Sequence, residues 1–169
     1  MNISHKILLN DDRDNCVSVS YFQGLDFDIS LDRPFINILQ AITRNQAWLL
    51  PNADDLLVDH VVQSGLINRS HLVNTMVEDP SNFHYEVFSP RYRTGSIGDQ
   101  TGMRLNDTFL GIRREFVLFD AAFTKRHRSP LLSQVEMKLD GSSVKFRRLA
   151  VPLSRNGKDV SEFYIAFSE

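Results

Sequence analysis

The last forty residues constrain the fold most, because apolar and polar residues alternate there in three runs separated by two turn signals. Val135, Met137 and Leu139 alternate with Gln134, Glu136 and Lys138, the period of a strand with one buried face. Asp140-Gly141 follows, a pair that tolerates positive φ at both centres and so closes a tight hairpin. Val144 to Leu153 is the next run. Its apolar phase moves from Val144 and Phe146 to Leu149, Val151 and Leu153, which predicts one inserted residue, a β-bulge, near Arg147-Arg148. Asn156-Gly157 marks the second turn, and Phe163, Ile165 and Phe167 alternate on the final run. Strands joined this tightly pair antiparallel, as a meander.

Upstream, the period changes. Ile112 to His127 reads as a long helix with Ile112, Phe116, Phe119 and Phe123 on one stripe. Lys125, Arg126, His127 and Arg128 crowd its C-terminal end, where the helix dipole favours positive charge, and Ser129-Pro130 stops it. Leu105 to Leu110 reads as a short helix and the glycine-bearing stretch Arg91 to Gly102 as loop. Leu72 to Glu78 and Phe83 to Val87 read as two strands around the turn Asp79 to Asn82, with Tyr85 and Val87 inward. Pro34 to Trp48 reads as an amphipathic helix capped by Asp32, followed by a second helix from Asp54 to Gln63.

The chain has 169 residues, enough for one domain and a substantial core. Residues 34–169 carry all the strong patterns. Residues 1–33, with the acidic cluster Asp11, Asp12 and Asp14 and a possible strand at Val17 to Phe22, read as an N-terminal extension. The expected architecture is α+β: a five-stranded antiparallel sheet, helices on one of its faces, and an N-terminal helical extension. A hydrophobic content of 42% excludes a disordered chain, and a net charge of −2 argues against a nucleic-acid binder. One cysteine, Cys16, excludes an internal disulfide framework. With no long apolar run and no secretion signal at the N-terminus, the chain is expected to be cytoplasmic, with no membrane partner.

Two strands, a helical crossover and a three-stranded meander is also the order of the PAS fold. Three segments resemble a bacterial family of stand-alone PAS-like domains found mainly in alphaproteobacteria. Trp48-Leu49-Leu50-Pro51-Asn52-Ala53-Asp54 is similar to the family's LPxRxD segment, with Asn52 and Ala53 as departures. Asp99-Gln100-Thr101-Gly102 is similar to its DxTG, and Arg148 to Gly157 resembles its RLxLPLSxxG ending. Ser89-Pro90 stands where the family usually has a glycine-containing turn. The resemblance implies a sensory or binding module in bacterial signal transduction that acts through a partner protein.

Several sites follow as candidates. Phe116, Phe119 and Phe123 on the long helix would face Tyr85, Val87, Val135, Met137, Phe163 and Ile165 and enclose a small apolar ligand. Arg148, or Arg147, turned inward at the expected bulge would meet an anionic group on it. The competing reading is a filled core with both arginines in water. Phe35, Ile38, Leu39 and Ile42 form a stripe on a helix with more apolar surface than one sheet face needs, and the stripe would pair with a second copy in a homodimer; docking onto the chain's own sheet is the competing reading. Haem is not expected, because His127 lies in a basic cluster and His84 on the outer face of its strand. Covalent flavin photochemistry needs a cysteine in the crossover, and Cys16 is far from it. His5, His60, His71, His84 and His127 show no metal-ligand spacing. The alternatives are a purely structural dimerisation module and an enzyme of the isomerase or dehydratase type with a cone-shaped pocket. The only candidate carboxylates for the enzyme are Asp120 and Glu86, both on faces that read as exposed.

Overall fold

The computed structural model describes residues 3–22, 33–43, 50–55, 58–93 and 98–168. It contains strands β1 (Ile3–Asn10) and β2 (Cys16–Phe22), helices α1 (Arg33–Thr43) and α2 (Val58–Gln63), and strands β3 (Ser70–Asn74) and β4 (His84–Val87). Helices α3 (Leu105–Thr108) and α4 (Gly111–His127) follow, then strands β5 (Leu131–Leu139), β6 (Ser142–Leu153) and β7 (Glu162–Ser168).

All seven strands join one sheet in the order β1-β2-β5-β6-β7-β3-β4, each antiparallel to its neighbours. This corrects the expected five-stranded sheet. The two further strands come from the N-terminal stretch, which is not a helical extension over its described residues. Val17, Val19 and Tyr21 alternate inward on β2, which pairs with β5 from Cys16↔Lys138 to Phe22↔Leu132. The acidic cluster is the turn before it. The Asp11 carboxylate accepts the Arg13 N–H at 2.8 Å and the Asn15 side-chain amide at 2.9 Å, and Asp14 takes a positive φ of 59°. The Asn15 side-chain oxygen, Oδ1, in turn accepts the Asp140 N–H at 2.8 Å, tying this hairpin to the β5–β6 turn.

Helices cover both faces of the sheet, not one. On one face Phe35, Ile38 and Leu39 of α1 are buried against Leu149, Val151, Leu153, Tyr164 and Ala166. On the other, α4 sets Ile112 and Phe116 against Val17, Val19, Tyr21 and Val135, and Ala121 among Phe83, Tyr85 and Phe163.

This two-sided burial explains β6. Its register is continuous with β5 and β7 through Arg147 and Arg148, so the expected bulge there is absent. The apolar phase shifts because the first half of the strand buries the α4 side and the second half the α1 side. A bulge does occur in β4. The β3–β4 register slips between Leu72 and Val73, so Tyr85 opposes Val73 while Val87 opposes Leu72. That slip turns Val87 to the face opposite Tyr85.

Both ends of α4 are fixed. At the C-terminal end Arg128 adopts a left-handed φ of 58° and donates its N–H to the Thr124 carbonyl at 3.2 Å. The Lys125 ammonium donates to the carbonyls of Thr75 at 2.8 Å and Val77 at 2.6 Å. At the other end, the Leu105 N–H donates to the Phe83 carbonyl at 2.7 Å and anchors α3 just before α4 begins.

Candidate functional site

Unbroken register through β2, β5, β6 and β7 places Tyr21, Ser133, Arg148 and Phe167 in one row across the inner face. Asp120 reaches this row from above. It lies four residues after Phe116 on α4, so both project from the same stripe. The buried line of the helix is Ile112, Phe116, Asp120 and Thr124, with Ala121 beside it.

The Tyr21 hydroxyl donates to Asp120 Oδ1 at 2.7 Å. Both terminal nitrogens of Arg148 donate to the two Asp120 oxygens, a two-pronged ion pair. Asp120 and Arg148 are each only 4% exposed. Burial alone would lower the Arg148 guanidinium, but the adjacent carboxylate outweighs this and the net shift is upward. Burial and the same negative charge raise the Tyr21 hydroxyl, keeping it protonated as a donor.

Between α4 and the sheet, beside this pair, lies a cavity of about 320 Å³. Asp120 and Arg148 form part of its wall. Tyr85, Phe88, Leu105, Phe116, Phe146, Phe163 and Phe167 supply most of the apolar lining. The exposed residues Arg113, Ser142 and Val144 also border it.

His71 is a further polar group on the wall, alongside Tyr85 and Tyr92, whose side chains carry hydroxyls. It is 7% exposed, and its Nδ1 accepts the Ser89 N–H at 2.9 Å. Phe88 stacks on it at 4.5 Å, with Phe167 edge-on at 4.9 Å and Tyr85 edge-on at 5.2 Å. Burial pushes its pKa down to about 3, so the ring is neutral.

Six residues expected around a ligand come together on the cavity: Tyr85, Phe116, Met137, Arg148, Phe163 and Ile165. The other four do not line it. Val87 is 47% exposed on the far side of the β4 bulge, and Phe119 is 41% exposed on the outer side of α4. Phe123 packs on Tyr21 at 4.5 Å and His5 at 5.6 Å, and Val135 lies in the core beneath Phe116.

Arg147 and Arg148 fall on opposite faces, and it is Arg148 that points inward. Its fork is filled by Asp120, so it does not present a free cation. Asp120 itself is buried, contrary to the expectation of an exposed position. Glu86 is half-buried and accepts the Asn74 side-chain amide at 2.8 Å. Phe35, Ile38 and Leu39 are buried against their own sheet and are not available to a second copy. The Ile42 side chain, the Asp32 cap, Trp48 and Leu49 lie outside the described residues. His127 is exposed and stacks on Phe123, and no group of three metal-ligating side chains occurs among the described residues.

Sequence reasoning missed His71, Phe88 and Tyr92. His71 shares the inward phase of β3 with Val73, opposite Ile165. That alternation is the available signal, and His71 lies one residue outside a strand read as starting at Leu72, whereas β3 starts at Ser70.

Over their described residues, the segments that carry the PAS-like resemblance hold loops in place. The Ala53 N–H donates to the Ser154 carbonyl at 3.0 Å and the Ser154 N–H to the Pro51 carbonyl at 2.9 Å, joining the first segment to the third. Asp99 accepts from the Thr101 N–H at 3.0 Å and pairs with Arg93 at 2.8 Å. Gly102, at φ 84°, donates its N–H to the Tyr85 carbonyl at 2.7 Å. Compared with family profiles, with curated proteins and with solved structures, the chain matches none. No helix among the described residues is long and apolar enough to cross a membrane.

Proposed function

We propose that this chain is a non-catalytic binding module that holds a small, uncharged and largely apolar molecule beneath α4, and that a partner protein in a signalling pathway reads its occupancy. The observation that carries this reading is the aromatic cavity of about 320 Å³, a size and lining suited to a small organic ligand. Two features of the wall favour binding over catalysis. Asp120 is engaged at both oxygens by Arg148 and Tyr21, so it is not free to abstract a proton. The Arg148 charge is compensated by the same carboxylate, which removes the reason for an anionic ligand. Ligand contacts at Phe116 and Ala121 would be transmitted through α4 to its outer side, where Phe119 is exposed.

Fluorescence titration with the neutral probe N-phenylnaphthylamine tests the reading. Saturable uptake of one equivalent is expected. Ala121→Phe, which puts a ring into the cavity, is expected to weaken uptake roughly tenfold or more while the protein stays folded at a cost of about 1–3 kcal/mol. Unsaturable binding, or binding indifferent to Ala121→Phe, overturns it.

A further inference from the structure

His71 has one hydrogen-bonding group still to be used. Its Nδ1 accepts the Ser89 N–H, and a ring nitrogen that accepts carries no proton. The proton of the neutral imidazole therefore sits on Nε2. That N–H has no protein partner among the described residues, although the side chain is more than nine-tenths buried and lines the cavity. The same tautomer removes Nε2 as a metal ligand, since a nitrogen holding a proton has no lone pair to give. Among the described residues, the fully enclosed unpartnered side-chain atoms of this sheet face are Ser133 Oγ and Arg148 Nε, whereas His71 Nε2–H opens onto the cavity, where an occupant can accept from it.

The surroundings narrow the chemistry. An anion would find the two terminal nitrogens of Arg148 already taken by Asp120, leaving the Arg148 Nε–H and Arg113, exposed at the cavity rim, as the remaining cationic donors. A neutral donor would find Asp120 Oδ1 filled by Tyr21 and Arg148, with one acceptor site left on Oδ2, and a cation would meet the Arg148 charge beside it. Around His71 itself stand aromatic rings, Phe88 stacked and Phe167 and Tyr85 edge-on. We propose that His71 Nε2–H is the polar anchor of the ligand, and that the ligand is an uncharged aromatic molecule bearing a carbonyl-type acceptor: a ketone, ester or amide. This deepens the cavity reading and rests on it.

Displacement of N-phenylnaphthylamine by three compounds of one shape tests the proposal. Benzophenone carries the acceptor, diphenylmethane lacks it, and diphenylacetate carries a negative charge. Benzophenone is expected to displace the probe at about fivefold lower concentration than diphenylmethane, the worth of one net hydrogen bond, with diphenylacetate weakest. His71→Phe should erase the ketone's advantage and leave diphenylmethane within about twofold. A second measurement needs no variant: in proton–nitrogen spectra of the wild-type imidazoles, benzophenone should move the His71 Nε2 proton downfield and diphenylmethane should not. Equal displacement by ketone and hydrocarbon, or strongest displacement by the carboxylate, overturns the anchor while the cavity reading stands. If the probe itself does not bind, both fall.

Discussion

At Asp120 the chain accepts a cost that most proteins avoid, a buried carboxylate, and offsets it with a guanidinium and a phenol. Removing one member leaves the other charge uncompensated in the interior. Asp120→Ala is expected to lower unfolding stability by about 3–5 kcal/mol. The double variant Asp120→Leu with Arg148→Met removes both charges and should recover most of that loss. Urea denaturation of the three proteins reads the difference. The pair was only half legible. The stripe Ile112, Phe116, Asp120 was visible as a four-residue spacing, but aspartate is rarely buried and the partner lies on a strand 28 residues away, where nothing local marks it. His71 makes a second expectation at this scale. An unfolded imidazole takes up its proton below its ordinary value of 6.5, whereas the folded ring resists until about 3. Through that window the unfolded state binds more protons, so stability falls as the pH falls. From pH 7 to pH 5 the loss due to His71 is about 2 kcal/mol, and a His71→Gln variant should lack it.

Among the elements, α1 and β6 separate what a pattern shows from what it leaves open. The stripe on α1 was plain, but a stripe does not say what covers it. The surplus of apolar residues read as a dimer surface because only one sheet face was expected to need covering. With both faces covered, Phe35, Ile38 and Leu39 are fully used within the chain. Ile38→Ala should lower stability by about 2–5 kcal/mol. Its unfolding midpoint should not depend on protein concentration, as it would if the stripe joined two copies. In β6 the change of phase was equally plain, and a bulge was the economical explanation on a one-sided sheet. A strand that buries opposite faces along its length gives the same pattern without a bulge, and only this register turns Arg148 toward Asp120. The β5–β6 turn, by contrast, was readable at once: Asp140 and Gly141 adopt φ of 50° and 79°, the values their dipeptide favours.

For the whole molecule, what could not be read was the reach of the N-terminus. Val17, Val19 and Tyr21 alternate clearly enough, yet their partners on β5 are more than a hundred residues away. Local spacing carries no information about pairing at that distance. Because β2 shields the edge of β5 and Tyr21 completes the Asp120 pair, residues 3–22 are part of the sheet and of the site. A chain starting at residue 33 is therefore expected to lose cooperative unfolding by circular dichroism and to aggregate on expression.

The sheet order has a temporal consequence. The two hairpins made first during synthesis, β1–β2 and β3–β4, end at opposite edges, and neither touches the other; they are bridged only by β5, β6 and β7. A nascent chain on the ribosome thus carries two unjoined ribbons until its final strands emerge, and the chamber beneath α4 closes only then.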